Sequence, residues 1–221
     1  DRLAKTTLGR AIPVYLIDHL DYYQRDGLYV GPNGDYVDNL ARFQYLCEET
    51  LAFLKTQNIA VDIVHCHDWQ TALIPIYLKT VLAKDPFYRR MKSILTIHNM
   101  AFQGIFPHQE FSQLGLPEKS FAPDCLEYYG QINLLKGGIV KSDVVTTVSP
   151  TYAKEIQTKE LGCGLEGVLH ARGDAVVGIL NGLDYSVWDP AVDELVPHRY
   201  PPDIVDQKRR NKAALQRSEE H

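Results

Sequence analysis

Short apolar runs alternate with longer amphipathic stretches along most of this chain, and that alternation constrains the fold more than any other feature. "AIPVYLID" (Ala11–Asp18), "VDIVH", "MKSILTIHN", "DVVTTVSP" and "AVVGILNG" are brief, rich in β-branched residues, and predict strands near 12–17, 61–65, 93–97, 143–148 and 175–180. Between them, Val37, Leu40, Ala41, Gln44, Cys47, Leu51 and Leu54 recur at near-helical spacing and predict a helix over roughly 36–57. "WQTALIPIYLKTVLA" predicts a second helix, with Asp68 as its N-cap and Pro75 in its first turn or at a kink. "GQINLLKGGIVKS", "PTYAKEIQT" with Pro150 at its start, and "DIVDQKRRNKAALQ" complete the helices, while a Pro- and Phe-rich loop runs to about Tyr128. Strands that are nearly all apolar and alternate with helices form a parallel sheet covered on both faces. The expected fold class is therefore α/β, a doubly wound parallel sheet. A closed eight-stranded barrel needs more strands than the chain supplies.

Composition narrows the partners. With 221 residues and 45% hydrophobic content, the chain can bury one large core or two small ones. A net charge of −5 argues against nucleic acid or an anionic membrane as partner. The basic cluster "QKRRNK" lies in a helical segment and reads as a solvated face. No apolar run is long enough to span a bilayer. Cys47, Cys66, Cys125 and Cys163 are scattered without a C-x-x-C pair, a spacing that fits free thiols in a reducing compartment. "DRLAKTTLGR" is neither a signal peptide nor an initiator-methionine start, so the natural N-terminus is expected upstream.

The chemistry-bearing residues follow the strands. His65, His67 and Asp68 follow one, His98 and Asn99 another, Ser149 a third, and Asn181 and Asp184 a fourth. Ligands of open α/β sheets bind beyond the carboxyl ends of the strands, so these clusters predict one shared cleft. Within "DIVHCHDWQTAL", His65 and His67 have the H-x-H spacing of a metal-dependent hydrolase, and alternate residues of a strand do point the same way. Against that reading, Trp69 stands where a further ligand is needed. The alternative is a hydroxyl-rich ligand. It calls for planar donors and acceptors beside an aromatic wall, and Asp68, His98, Asn99, Gln103 and Asn181 supply the first, Tyr29, Trp69 and Phe102 the second.

Three patterns mislead. "GCGLEG" at Gly162–Gly167 matches a dinucleotide fingerprint letter for letter but follows a helix, not the first strand. The glycines of "LKGGIV" lie within a helical pattern and predict close helix packing rather than a phosphate cradle. Ser149 lacks the G-x-S-x-G of a nucleophile elbow and reads as a helix N-cap.

"DIVHCHDWQTAL", "LTIHNMAFQGIFP", "YYGQINLLKGGIVKSDVVTTVSPTYAKEI", "GCGLEGVL" and "GILNGLDYSVWDP" occur in that order, and together they resemble the bacterial glycogen synthase and plant starch synthase family over nearly the whole chain. The resemblance implies a GT-B architecture of two facing Rossmann-like domains. It implies transfer of glucose from ADP-glucose to the 4-hydroxyl of an α-1,4-glucan with retention, without a metal or other cofactor. Carried over residue by residue, His98 corresponds to the histidine that contacts the donor glucose, and Asp68, Tyr29 and Asn181 to pocket residues beside it, with Asn99 and Gln103 adjoining. The family's K-x-G-G loop and its second domain, which holds the catalytic and diphosphate-binding residues, have no counterpart here. The expectation is an incomplete N-terminal domain over 1–200, a helix over 201–221 leading towards the other half, and no turnover by the chain alone. The readings that stand beside it are a glucan-binding or folding unit without activity, and the metal-dependent hydrolase using His65 and His67. A bacterial cytoplasm is the expected location, with a plastid as the alternative.

Overall fold

The computed structural model describes residues 2–8, 12–201 and 203–219. Four parallel strands form its central sheet, in the order Val176–Gly178, Val144–Thr147, Lys92–Ile97, Ile63–His67. The fold class is thus α/β with a parallel sheet, and four of the five expected strands lie in it. Register runs His65↔Ile94↔Val144 and Cys66↔Leu95↔Val145↔Val176, so each set of partners shares a face.

The Cys66–Leu95–Val145 face is closed. Those residues are buried with Leu40, Cys47 and Leu51 of the helix Asn39–Thr56, Leu73 and Ile76 of Leu73–Lys79, and Leu135 and Ile139 of Leu134–Lys141. Gly137 and Gly138 permit this approach, as the sequence suggested. A Cβ on Gly138 would stand 2.8 Å from Ala72 Cβ, and one on Gly137 2.7 Å from Ile76 Cδ1. The opposite face is less covered: Ile63, Val144 and Val177 are 55, 36 and 42% exposed. There His65 Nε2 lies 2.6 Å from Thr96 Oγ1, which lies 2.6 Å from Thr146 Oγ1.

The expected first strand corrects the parallel picture. Ile12–Asp18 is a strand, but it pairs antiparallel with Arg2–Leu8 in a ribbon of its own, from Arg2↔Asp18 to Leu8↔Ile12. Ala11 lies outside the described residues. A neighbour just upstream needs only a hairpin, whereas a parallel neighbour needs a crossover.

At the amino ends of the strands, Asp143 works as a clamp. It accepts from Lys79 Nζ (2.9 Å), Lys92 Nζ (3.2 Å), Ser93 N (2.9 Å) and Ser93 Oγ (3.2 Å). Burial pushes its carboxyl up, but the bonds from Lys79, the Ser93 amide and Lys92 outweigh that and hold it at about 2.

The region read as a loop carries structure too short for periodicity to reveal. Ile105–Pro107, Gln131–Asn133 and Glu127–Tyr128 make a three-stranded antiparallel sheet. Gln131–Asn133 had read as the start of the following helix, which instead begins at Leu134, with Asn133 Oδ1 accepting from Lys136 N at 2.9 Å. The excursion closes on itself, because Leu134 N and Leu135 N donate to Gly104 O and Gln103 O, each at 3.0 Å. Ser149 caps its helix as expected, accepting from Tyr152 N at 2.9 Å.

Compact units divide after Leu180. The stretch before the last helix goes with that helix. His198 N donates to Asn211 Oδ1 at 2.9 Å, and Asn211 Nδ2 returns the bond to His198 O at 2.8 Å. The second unit also holds the turn at Asp184, whose Oδ1 accepts from Ser186 N and Oγ, and the helix Lys208–Glu219.

Candidate functional site

A groove of about 780 Å³ opens in the first unit beside the carboxyl ends of the Ile63–His67 and Lys92–Ile97 strands. Its size suits a small ligand. Tyr29, Asp68, Asn99 and Gln103, four of the six expected site residues, line it together with Tyr36, Asn39, Trp69 and Phe102.

One wall is built from a buried arginine. Arg42 is 4% exposed in the first turn of the helix Asn39–Thr56. Its guanidinium donates to Tyr22 O (2.8 Å), Leu28 O (3.0 Å) and Asn39 Oδ1 (2.6 Å), and Asn39 Nδ2 donates to Tyr29 O (3.0 Å). The groups that shape the Tyr29 segment are therefore satisfied hydrogen bonds inside the protein, as buried polar groups must be. Arg25 adds a two-pronged pair to Asp38 at 2.8 and 2.6 Å and holds that carboxyl below its ordinary range. Both arginines lie over the Tyr36 ring, at 4.6 and 5.0 Å.

The floor is Trp69, packed edge-on against Phe43 at 4.8 Å and tilted against Phe106 at 5.7 Å. Gly104 passes directly beside the indole with φ +63°, and a Cβ there would lie 2.5 Å from Trp69 Cε3. Only glycine satisfies both conditions.

Asp68 stands at the N-cap position, before the helical turn Trp69–Thr71, as the sequence suggested. Its side chain caps nothing; Oδ1 instead accepts from His98 N at 2.7 Å, across two neighbouring strands. The backbone at Asp68 has φ 55° and ψ −169°, a region populated almost solely by glycine. A strained residue at a strand end, bonded to the end of the next strand, is the pattern of a site held in place by its surroundings.

The other wall follows His98. Asn99 Oδ1 accepts from Ala101 N at 2.9 Å, which shapes the turn, and Phe102 is 64% exposed beside it. Gln103 is buried and its amide is engaged inside the protein. Nε2 donates to Met100 O (3.1 Å) and Cys163 O (2.9 Å), and Oε1 accepts from Asn133 Nδ2 (2.6 Å). Gln103 thereby ties the "GCGLEG" loop and the helix start to this wall, and the loop follows a helix, as expected. His98 adjoins the groove through its amide on Asp68, and its Nε2 lies 3.0 Å from His67 Nδ1. Asn181 opens the second unit and is exposed there.

Asn39, Arg42 and Tyr36 were not singled out from the sequence. The helix begins at Asn39 rather than 36, and Val37, counted as part of the apolar face, is 96% exposed. The available signal was an Asn and an Arg three residues apart within the buried stripe, which must pair with something if they are inside.

The metal alternative meets the histidines in other roles. His65 Nε2 is turned to Thr96, and His67 Nδ1 to His98. Among the described residues, no three His, Cys, Asp or Glu side chains converge as metal ligands.

A groove with carboxylate, amides and aromatics at the carboxyl ends of parallel strands defines a ligand-binding domain of the open α/β class. The chain belongs to the starch synthase catalytic domain family, whose match covers residues 2–171. Among its relatives, glycogen synthase 2 of Geobacter sulfurreducens is 48% identical over 215 residues, covering 97% of this chain and 44% of that protein. Glycogen synthase of Thermodesulfovibrio yellowstonii is 43% identical over 202 residues, covering 91% and 41%. Among solved structures, the catalytic domain of starch synthase IV from Arabidopsis thaliana, bound to ADP and acarbose, aligns with a TM-score of 0.76 at 30% identity, over 99% of this chain and 47% of that one. The chain thus spans less than half the length of these relatives.

Proposed function

We propose that this chain is the N-terminal, sugar-facing part of an α-1,4-glucan synthase, which transfers glucose from ADP-glucose to the 4-hydroxyl of a glucan end with retention. The observation that carries the reading is the Asp68–His98 bond. It brings two strand ends to the rim of a groove lined by acceptors and by the aromatic rings of Tyr29, Trp69 and Phe102. Such a surface binds a sugar by its hydroxyls and its apolar ring face. His98 and Asp68 would orient the donor glucose, with Tyr29 and Asn99 as further contacts and Gln103 holding the wall. Orientation of the anomeric carbon is a large part of what such a transfer needs. The leaving diphosphate also needs fixed positive charge in a dry site, and among the described residues no lysine or arginine lines the groove. No metal or cofactor enters the scheme. The proposed location is a bacterial cytoplasm; no described helix is long and apolar enough to cross a membrane.

Two measurements test this. Radiolabelled glucose from ADP-glucose should not enter glycogen with the purified 221-residue chain; incorporation abolished by His98→Ala would show a complete catalyst. Maltooligosaccharides should bind weakly and in preference to β-1,4-linked cello-oligosaccharides, and equal binding of both would remove the glucan reading. The second reading, a glucan-binding unit without turnover, is favoured for the isolated chain by the same lack of groove-lining cations among the described residues.

A further inference from the structure

We propose that His67 is a positioning residue for His98, accepting its Nε2–H so that His98 always presents Nδ1 as its free nitrogen. The inference rests on the reading of His98 as a sugar-facing group. Its basis is the 3.0 Å separation of His67 Nδ1 and His98 Nε2, with the rings tilted at 38° and their centroids 5.2 Å apart.

One of those two nitrogens must carry the hydrogen and the other must not. If His98 donates, both rings are in the Nε2–H form, the intrinsically favoured one for a neutral histidine. If His67 donates, both rings must adopt the less favoured Nδ1–H form. The first arrangement is self-consistent without any further partner.

His67 is itself fixed in place. Its backbone N and O both bond Thr71 Oγ1, at 2.6 and 2.8 Å, and its ring stacks on His65 at 4.4 Å. His65 in turn is tied through Thr96 to Thr146. His98 has its own anchor, the amide bond to Asp68. The backbone of both residues is thus held, and stacking on His65 orients the His67 ring towards His98.

The charges around His67 set the pH behaviour. It faces two imidazoles, His65 and His98, and one carboxylate, Asp68. Burial lowers its pKa first, His65 and His98 lower it further, and Asp68 partly opposes them. A proton on His67 would have to occupy Nδ1 and break the bond, whereas a proton on His98 goes to Nδ1 and leaves it intact. The lowered pKa of His67 keeps the bond intact further into the acid range.

The experiment is histidine nitrogen NMR on the 221-residue chain, labelled at the imidazoles and titrated through the neutral and mildly acid range. In the wild type, His98 should show a pure Nε2–H tautomer with a protected N–H signal, and His67 should titrate below the ordinary histidine value. His67→Phe keeps the ring on His65 but has no acceptor; it should lose the protected signal and show a share of Nδ1–H. His67→Asn, whose Oδ1 can occupy the place of Nδ1, should restore both features. His98→Phe should raise the His67 midpoint. A His98 Nδ1–H tautomer in the wild type, or an unchanged His98 signature in His67→Phe, would overturn the proposal. ADP-glucose added to the wild type checks the sugar reading separately. If the tautomer results hold and His98 Nδ1 does not respond, the positioning stands and the sugar role falls.

Discussion

Replacing Asp68 by alanine and by glycine should invert the usual order of the two residues. Glycine ordinarily destabilises by about 0.5–1 kcal/mol relative to alanine, through the freedom it regains on unfolding. At Asp68 the backbone has φ 55° and ψ −169°, where a residue with a Cβ carries strain of about 1–3 kcal/mol. Both substitutions remove the carboxylate that accepts from His98 N, a charged hydrogen bond of about 1.5–3 kcal/mol. That loss is common to the two and cancels in the comparison. The strain released by glycine, less its unfolded-state freedom, leaves Asp68→Gly more stable than Asp68→Ala by up to about 2.5 kcal/mol. The assay is urea unfolding followed by Trp69 fluorescence in a Trp188→Phe background, since the chain has two tryptophans and Trp188 is largely exposed. Both variants should lose sugar binding, because neither can hold His98. If Asp68→Ala proves as stable as Asp68→Gly or more so, the backbone strain is not real, and the case for a constrained site there collapses.

Other substitutions probe the frame. Gly138→Ala should lower the melting temperature despite its better helix propensity, because overpacking against Ala72 and Leu95 costs about 1–3 kcal/mol. Gln103→Ala should cost about 1–3 kcal/mol in chemical denaturation, by stranding Asn133 Nδ2 and the Met100 and Cys163 carbonyls. Asp143 has a depressed pKa of about 2, so its contribution is present above the ordinary carboxylate range and is lost as pH falls through about 2. The stability gap between wild type and Asp143→Asn should therefore narrow from pH 5 towards pH 2 in parallel urea titrations; a constant gap would refute the clamp.

What the sequence disclosed and what it hid divide along physical lines. Short β-branched runs marked the four parallel strands because burial on a sheet selects those side chains whatever their neighbours. The same signal in Ile12–Asp18 could not say which neighbour it would pair with, and the local hairpin prevailed. Polar residues after strands pointed to the groove, since parallel pairing brings those ends to one edge. Direction was harder. Asp68 and Gln103 were chosen for their chemistry, but one turns to a neighbouring strand and the other inward, and nothing in residue type encodes that. Arg42 was missed because a buried guanidinium looks like any surface arginine until its three acceptors are in view.

The excursion between the Lys92–Ile97 strand and the helix at Leu134 returns to its point of departure, its mouth closed by the bonds to Gly104 O and Gln103 O. Whatever happens to the length of the chain inside that mouth, the connection seen by the strand and the helix is the same. Gly115 and Gly130 sit at open outer turns, where even a Cβ would meet nothing within 4 Å. Insertions there would enlarge a loop that is already closed, and doubling a flexible loop costs only about 0.6 kcal/mol. Related proteins can therefore differ in length at these two turns, and acquire new recognition elements on them, while Asp68 and His98 keep their places.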